Sequence, residues 1–162
     1  MPPYHLDSID RAILRALQAN GRLSNVQLAE QVGLSESACL RRVRQLEEAG
    51  VIDRYVMLVN PKAVGKGGTV FVRITLEGQQ AERLAAFEEA VRQVPEVMEC
   101  YLISGDYDYL LRVCTSGAGS YMATHEKLTS LPGVLRVQSS FALRTVHSTT
   151  EIPLDDNSTT SR

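Results

Sequence analysis

Residues 24–50 constrain the chain more than any other stretch, because they specify two short helices and the turn between them. Ser24 and Gln27 have the spacing of a capping box, in which a hydroxyl and a longer polar side chain satisfy each other's exposed amides. Leu28, Ala29 and Val32 give the first helix its apolar face. Gly33 stands where a helix end calls for a left-handed residue, which glycine adopts without a Cβ clash. Ser35 then caps a second helix, and Glu36 suits the positive end of its dipole.

The second helix has two distinct sides. Cys39, Val43 and Leu46 recur at i, i+4 and i+7 as a core-facing stripe, with Leu40 at its edge. Ser37, Arg41, Arg42, Arg44 and Gln45 fall mostly outside it. Arginine pairs bidentately with guanine in a major groove, and Ser and Arg also hold phosphates. A bare R-R-x-R run reads as a solvated basic face. The two caps and the glycine turn beside it make a DNA-reading helix the better account. The expected DNA contacts are Ser24, Asn25, Ser35, Ser37, Arg41, Arg42, Arg44 and Gln45.

Bulk charge does not supply that conclusion. The net charge is −2. Residues 1–62 hold eight Lys/Arg against seven Asp/Glu, a net of +1, and residues 63–162 hold nine against twelve, a net of −3. DNA affinity must therefore come from a local surface. Cys39, Cys100 and Cys114 are odd in number, without C-x-x-C spacing, and each lies in an apolar segment. Buried free thiols are expected, with neither a disulfide scaffold nor a zinc site. His5, His125 and His147 are scattered, and nothing in their spacing suggests a metal trio or a catalytic triad. With no signal peptide and no apolar run long enough for a bilayer, the sequence points to a cytoplasmic, nucleoid-associated protein that does not enter membranes.

Along the chain, residues 1–5 read as a loose arm and Asp7 to Ala19 as a scaffold helix carrying Ile9, Ile13, Leu14 and Leu17 on one face. Three helices make the minimum helix-turn-helix unit. Ile52 to Val59 is β-branched or aromatic and predicts one or two short strands, stopped by Asn60-Pro61. The glycine-rich run from Lys62 to Gly68 reads as a linker. Beyond it the pattern is strand (Thr69 to Leu76), helix (Gln79 to Val94), strand (Val97 to Ser104), turn, strand (Tyr109 to Cys114), helix (Ser120 to Leu131) and strand (Val134 to Val146). That order is the ferredoxin-like βαββαβ plan, and the whole is α+β. The expected division is a winged-helix-like DNA-binding domain at 1–60, a linker at 61–68, the βαββαβ domain at 69–148 and a flexible tail at 149–162. Tyr101, Leu102 and Ile103, with Tyr109, Leu110 and Leu111, are apolar on both strand faces. This predicts that the helix-free side of the sheet is buried against a second copy, which would set two recognition helices on a two-fold axis for a pseudo-palindromic site.

These residues carry a family likeness. The chain resembles the Lrp/AsnC transcription regulators from about Leu6 to Val146, through L-D-x-I-D-x-x-I-L (Leu6 to Leu14), G-R-L-S-N-V-x-L-A (Gly21 to Ala29), V-G-L-S (Val32 to Ser35), R-V-R-x-L-E-x-x-G-V-I (Arg42 to Ile52), E-C-Y-L-I-S-G-D-Y-D-Y-L-L (Glu99 to Leu111) and L-P-G-V (Leu131 to Val134). It departs from many members at Ser35-Glu36-Ser37-Ala38, where they carry a proline-containing S-x-T-P or S-P-T-P. The resemblance implies a sequence-specific regulator of transcription, dimers through the C-terminal sheets, often octamers, and an amino-acid effector between C-terminal domains. It places effector contacts at Ser104, Gly105, Asp106, Tyr107, Asp108 and Tyr109 and on the last strand at Ser139, Ser140 and Phe141. Within that turn Asp108 is the first choice for the carboxylate that meets the effector, and Asp106 for a turn cap. A DNA-wrapping, nucleoid-organising protein is the alternative function. An enzyme on the ferredoxin-like plan is disfavoured, since the chain lacks a recognisable nucleophile–base pair.

Overall fold

A computed structural model describes residues 4–155. The expected arm at 1–5 and tail at 149–162 lie partly outside that range. The chain forms two compact units. Of the described residues, one unit contains 4–57 together with 147–155, and the other spans 58–146.

The first unit is built on α1 (Ser8–Ala19), α2 (Asn25–Val32) and α3 (Glu36–Glu48). Ser24 and Gln27 close the capping box on α2, and Gly33 ends that helix at φ 70°. Asp7 and Asp10 form a second capping box on α1, which sequence reading did not identify. The helices enclose Ile13, Leu28, Ala29, Cys39 and Leu46, all essentially inaccessible.

The strands expected over Ile52 to Val59 are absent. Val51 and Ile52 instead donate their amides to the Leu46 carbonyl, 2.9 and 3.1 Å away, and turn their side chains into the three-helix core. Residues 53–59 run on without a ladder, because no strand among the described residues lies beside them. Tyr55 to Val59 are consequently all at least half exposed.

The second unit contains β1 (Gly68–Leu76), α4 (Ala81–Val91), β2 (Val97–Leu102), β3 (Tyr109–Thr115), α5 (Ala118–Thr129) and β4 (Val134–Phe141). The sheet is antiparallel in the order β2-β3-β1-β4. Strand alternation sends Val70, Val72 and Ile74 of β1 and Tyr109, Leu111 and Val113 of β3 into a core shared with Phe87, Val91, Tyr121 and Leu128 of the helices. The opposite face carries Phe71, Tyr101 and Leu110, but also Arg73 beneath the Tyr107 ring and Arg112 paired with Glu99 at 2.6 Å. β4 stops at Phe141 rather than Val146, because its partner strand ends: the last ladder bond is Ala142 N–H to the Thr69 carbonyl at 2.9 Å. Of the three cysteines expected inside, Cys39 is buried, Cys114 is half-buried and Cys100, on edge strand β2, is exposed.

The tail does not behave as a free end within the described residues. Ile152 and Leu154 are bonded to α1, and Leu154 packs against the three-helix core.

Arg42 is the main polar tie inside the first unit. Its Nη1 lies 2.7 Å from Asp7 Oδ2 and 2.8 Å from Asp10 Oδ1, and the Asp10 side chain is 4% exposed. The Asp10 amide, and after it the Arg42 guanidinium, hold the Asp7 carboxyl below the usual carboxylate range. Arg42→Ala, which leaves Asp10 buried and unpaired, is expected to destabilise the protein by about 2 kcal/mol. Thermal unfolding at pH 7 checks it. Because the folded-state pKa of Asp7 is depressed, the stabilisation it contributes is complete above about pH 4 and lost as pH falls through the folded value.

Candidate DNA-reading helix and effector turn

On α3 the core contacts of Cys39 and Leu46 settle which side faces out. At 100° per residue, Ser37, Arg41 and Arg44 fall within about 60° of arc on the far side, with Gln45 at its edge. All four are exposed, and among the described residues neither arginine has an ion-pair partner. Ser35 caps the helix through the Ala38 amide at 3.3 Å, and its hydroxyl lies 3.4 Å from that of Ser37. Asn25 donates from Nδ2 to the Glu36 carbonyl at 2.8 Å, tying the start of α2 to the start of α3. Ser24 is engaged with Gln27.

The structure places one expected DNA contact, Arg42, apart from that outward stripe. Arg42 is turned toward α1, where Asp7 and Asp10 neutralise it. Its position, one helix residue from Arg41, puts it 100° away around the axis and onto the flank of the buried seam.

The turn between β2 and β3 is likewise divided in its roles. Ser104, Gly105 and Asp106 are exposed, and Gly105 takes φ 138°, a conformation L side chains rarely adopt. Tyr107 stacks on Arg73, with the guanidinium carbon 5.2 Å from its ring centroid. Asp108 is 5% exposed. Its Oδ2 accepts from the Leu76 amide at 2.7 Å and its Oδ1 from Gln79 Nε2 at 2.6 Å. The structure thus gives Asp108 a different place from the exposed one expected of it: it is buried, and both of its oxygens fasten the turn to the end of β1. Tyr109 is buried too, its hydroxyl donating to Glu88 at 2.8 Å and its ring 4.5 Å from that of Phe87. Burial, and after it Glu88, drives the Tyr109 phenol above its ordinary range.

The three β4 residues do not share a face. Ser139 and Phe141 pair with Val72 and Val70 on the helix side, where Ser139 bonds the Tyr121 hydroxyl and Phe141 meets the Tyr121 ring edge-on. Ser140 pairs with Phe71 on the open side. The polar pairings of Gln79, Glu88 and Tyr121 were not read from the sequence, since each finds its partner 18 to 29 residues away and no local pattern marks such a pair. Among the described residues no group of three or more His, Cys, Asp or Glu side chains is placed to hold a metal ion. Nor is any described helix long and apolar enough to cross a membrane.

Comparison with known proteins matches both units. Residues 6–53 fit the profile of winged helix-turn-helix DNA-binding domains, and residues 69–152 that of the Lrp/AsnC ligand binding domain. The chain is 45% identical over 134 residues to the leucine-responsive regulatory protein of Escherichia coli, covering 82% of each. Its structure is similar to that of an AsnC family transcriptional regulator from Agrobacterium tumefaciens, with a TM-score of 0.88, 42% identity and coverage of 91% of this chain and 97% of that one. A transcriptional regulator from Neisseria meningitidis in complex with L-methionine aligns with a TM-score of 0.88 and 39% identity, covering 93% and 98%.

The roles within the turn are separable. Asp108→Ala strands two donors and is expected to cost about 1–3 kcal/mol of stability. Asp106→Ala, at an exposed position, should stay within about 0.5 kcal/mol of the native protein. Parallel thermal unfolding of the two variants checks the assignment, and equal melting points would refute it.

Proposed function

The chain belongs to the Lrp/AsnC family of transcriptional regulators, and from that we propose that it is a dimeric, sequence-specific DNA-binding protein whose operator affinity responds to an amino acid. Membership gives it a helix-turn-helix domain for DNA and a separate ligand-binding domain. The observation that carries the DNA reading is the stripe of Ser37, Arg41 and Arg44, exposed on the outer side of a helix whose inner side is locked in place. Arg44 and Arg41 supply bidentate donors for guanine or charge for phosphate, and Ser37 a hydroxyl at the helix start.

An amino acid requires an acceptor for its ammonium and donors for its carboxylate. The exposed part of the effector turn offers the Asp106 carboxylate, the Ser104 hydroxyl and the backbone at Gly105, and Arg73 puts a cation beside Tyr107. With the interior of the sheet filled by its own helices, the pocket belongs at an interface between copies, and a ligand there biases how they pack. The complex of the Neisseria relative with L-methionine supports this ligand class.

Self-association has its own support. Tyr55 to Val59 present five consecutive exposed apolar residues with no strand beside them, and the open sheet face adds Phe71 and Tyr101. Pairing with a second copy covers both. A dimer of this kind buries roughly 2,000 Å² or more. Sedimentation equilibrium of the full chain should give a dimer or a multiple of it at micromolar concentration, and a monomer would remove this part of the proposal.

The DNA and effector assignments share one measurement, operator affinity with and without saturating L-methionine or L-leucine. Arg41→Ala and Arg44→Ala should each weaken binding, by about 1–3 kcal/mol with relaxed specificity for a base contact, or with a salt slope lower by about one for a phosphate contact. Asp106→Ala should bind DNA normally and lose the amino-acid response. Unchanged affinity in both arginine variants would displace α3 from the groove. A full response in Asp106→Ala would move the effector away from the turn.

A further inference from the structure

The core of the DNA-binding unit is completed by residues that follow the ligand-binding domain in the chain. Ile152 donates its amide to Gln18 Oε1 at 2.7 Å and accepts from Gln18 Nε2 at 3.1 Å. The Gln18 side chain thus satisfies both backbone groups of one residue, as a neighbouring strand would. Arg15 Nη2 donates to the Leu154 carbonyl at 2.7 Å, and the Leu154 side chain packs against the three-helix core. These contacts tie the segment to α1 at three polar points and to the three-helix core at one apolar one.

The segment begins at an informative place. β4 pairs with β1 so that Phe141 faces Val70, and Ala142 bonds the Thr69 carbonyl. The chain therefore leaves β4 beside the point where it enters β1, and both covalent routes between the two units meet the sheet at one corner. Ser139 and Phe141, each against Tyr121, occupy that corner.

We propose that residues 147–155 are a strap: the last strand of the ligand-binding domain holds α1 of the DNA-binding unit through it, and effector occupancy is passed to the reading helix along it as well as along the 58–67 linker. The coupling half of this rests on the effector reading above, and the docking half does not. A strap of this kind transmits a signal only if it holds α1 better in one ligand state than in the other.

The test uses the full-length protein with Gln18→Ala and, separately, Leu154→Ala, neither of which touches the outward stripe of α3 or the effector turn. Amide hydrogen exchange over α1 reads the docking, calorimetry with L-methionine reads ligand binding, and operator affinity with and without saturating L-methionine reads the coupling. The expected result is exchange over α1 faster by about tenfold or more, ligand affinity unchanged, and an L-methionine effect on operator affinity reduced to within about twofold of none, against about 5–150-fold for coupled sites. Unchanged exchange over α1 in both variants overturns the strap. Faster exchange with an undiminished L-methionine effect overturns its coupling role and leaves it a structural brace. If L-methionine and L-leucine neither bind nor alter DNA affinity in the unaltered protein, the effector reading fails, and exchange over α1 alone decides the docking.

Discussion

Arg42 sets the orientation of α3. Its guanidinium is held between Asp7 and Asp10, and Asp10 is buried. A buried carboxylate separated from its counter-charge is costly, so α3 cannot rotate about its axis without exposing that penalty. The buried seam of Cys39 and Leu46 defines the inner side of the helix, and the ion pair pins its flank. Ser37, Arg41 and Arg44 are left pointing outward in a single stripe. Because Asp7 and Asp10 also cap α1, the same two side chains start one helix and align another.

A carboxylate does comparable work in the ligand-binding unit. Asp108 accepts from the Leu76 amide and the Gln79 side chain, which anchors the β2–β3 turn to the end of β1. With Asp108 committed to structure, Ser104, Gly105 and Asp106 are carried as an exposed loop on a rigid base. In the proposed effector site the group that shapes the turn is therefore separate from the groups offered to a ligand, which favours a preformed geometry.

What the single chain leaves unpaired is as informative as what it buries. The stretch from Tyr55 to Val59 has apolar side chains in the open and no strand alongside, and the sheet keeps one face free of helices. The last strand ends beside the first, and the residues beyond it return to α1. The DNA-binding unit is thus discontinuous in sequence, and residues beyond the whole of the ligand-binding domain pack against its helices.

Local physics made most of the architecture legible. Capping boxes, the left-handed Gly33, the apolar seam of α3 and the alternation of β1 and β3 each act over a few residues, and their signatures stand in the sequence at the right spacing. The βαββαβ order followed from the same short-range patterns. Apart from the local Asp7–Asp10 capping box, the contacts that sequence reading missed or misassigned are long-range and polar. Arg42 reads, with Arg41, as an outward arginine carrying much of the DNA affinity until α1 brings Asp7 and Asp10 against it, 35 and 32 residues away. Asp108 reads as a binding carboxylate until the end of β1 closes over it, and Ile152 as part of a frayed tail until Gln18, 134 residues earlier, bonds it. Ile52 to Val59 has the composition of a strand, but a strand exists only where another lies beside it, and among the described residues none does. Composition settles which segments prefer helix or sheet; which polar group meets which is decided only when the tertiary fold brings distant segments into one low-dielectric place, where leaving a group unpaired is no longer tolerated.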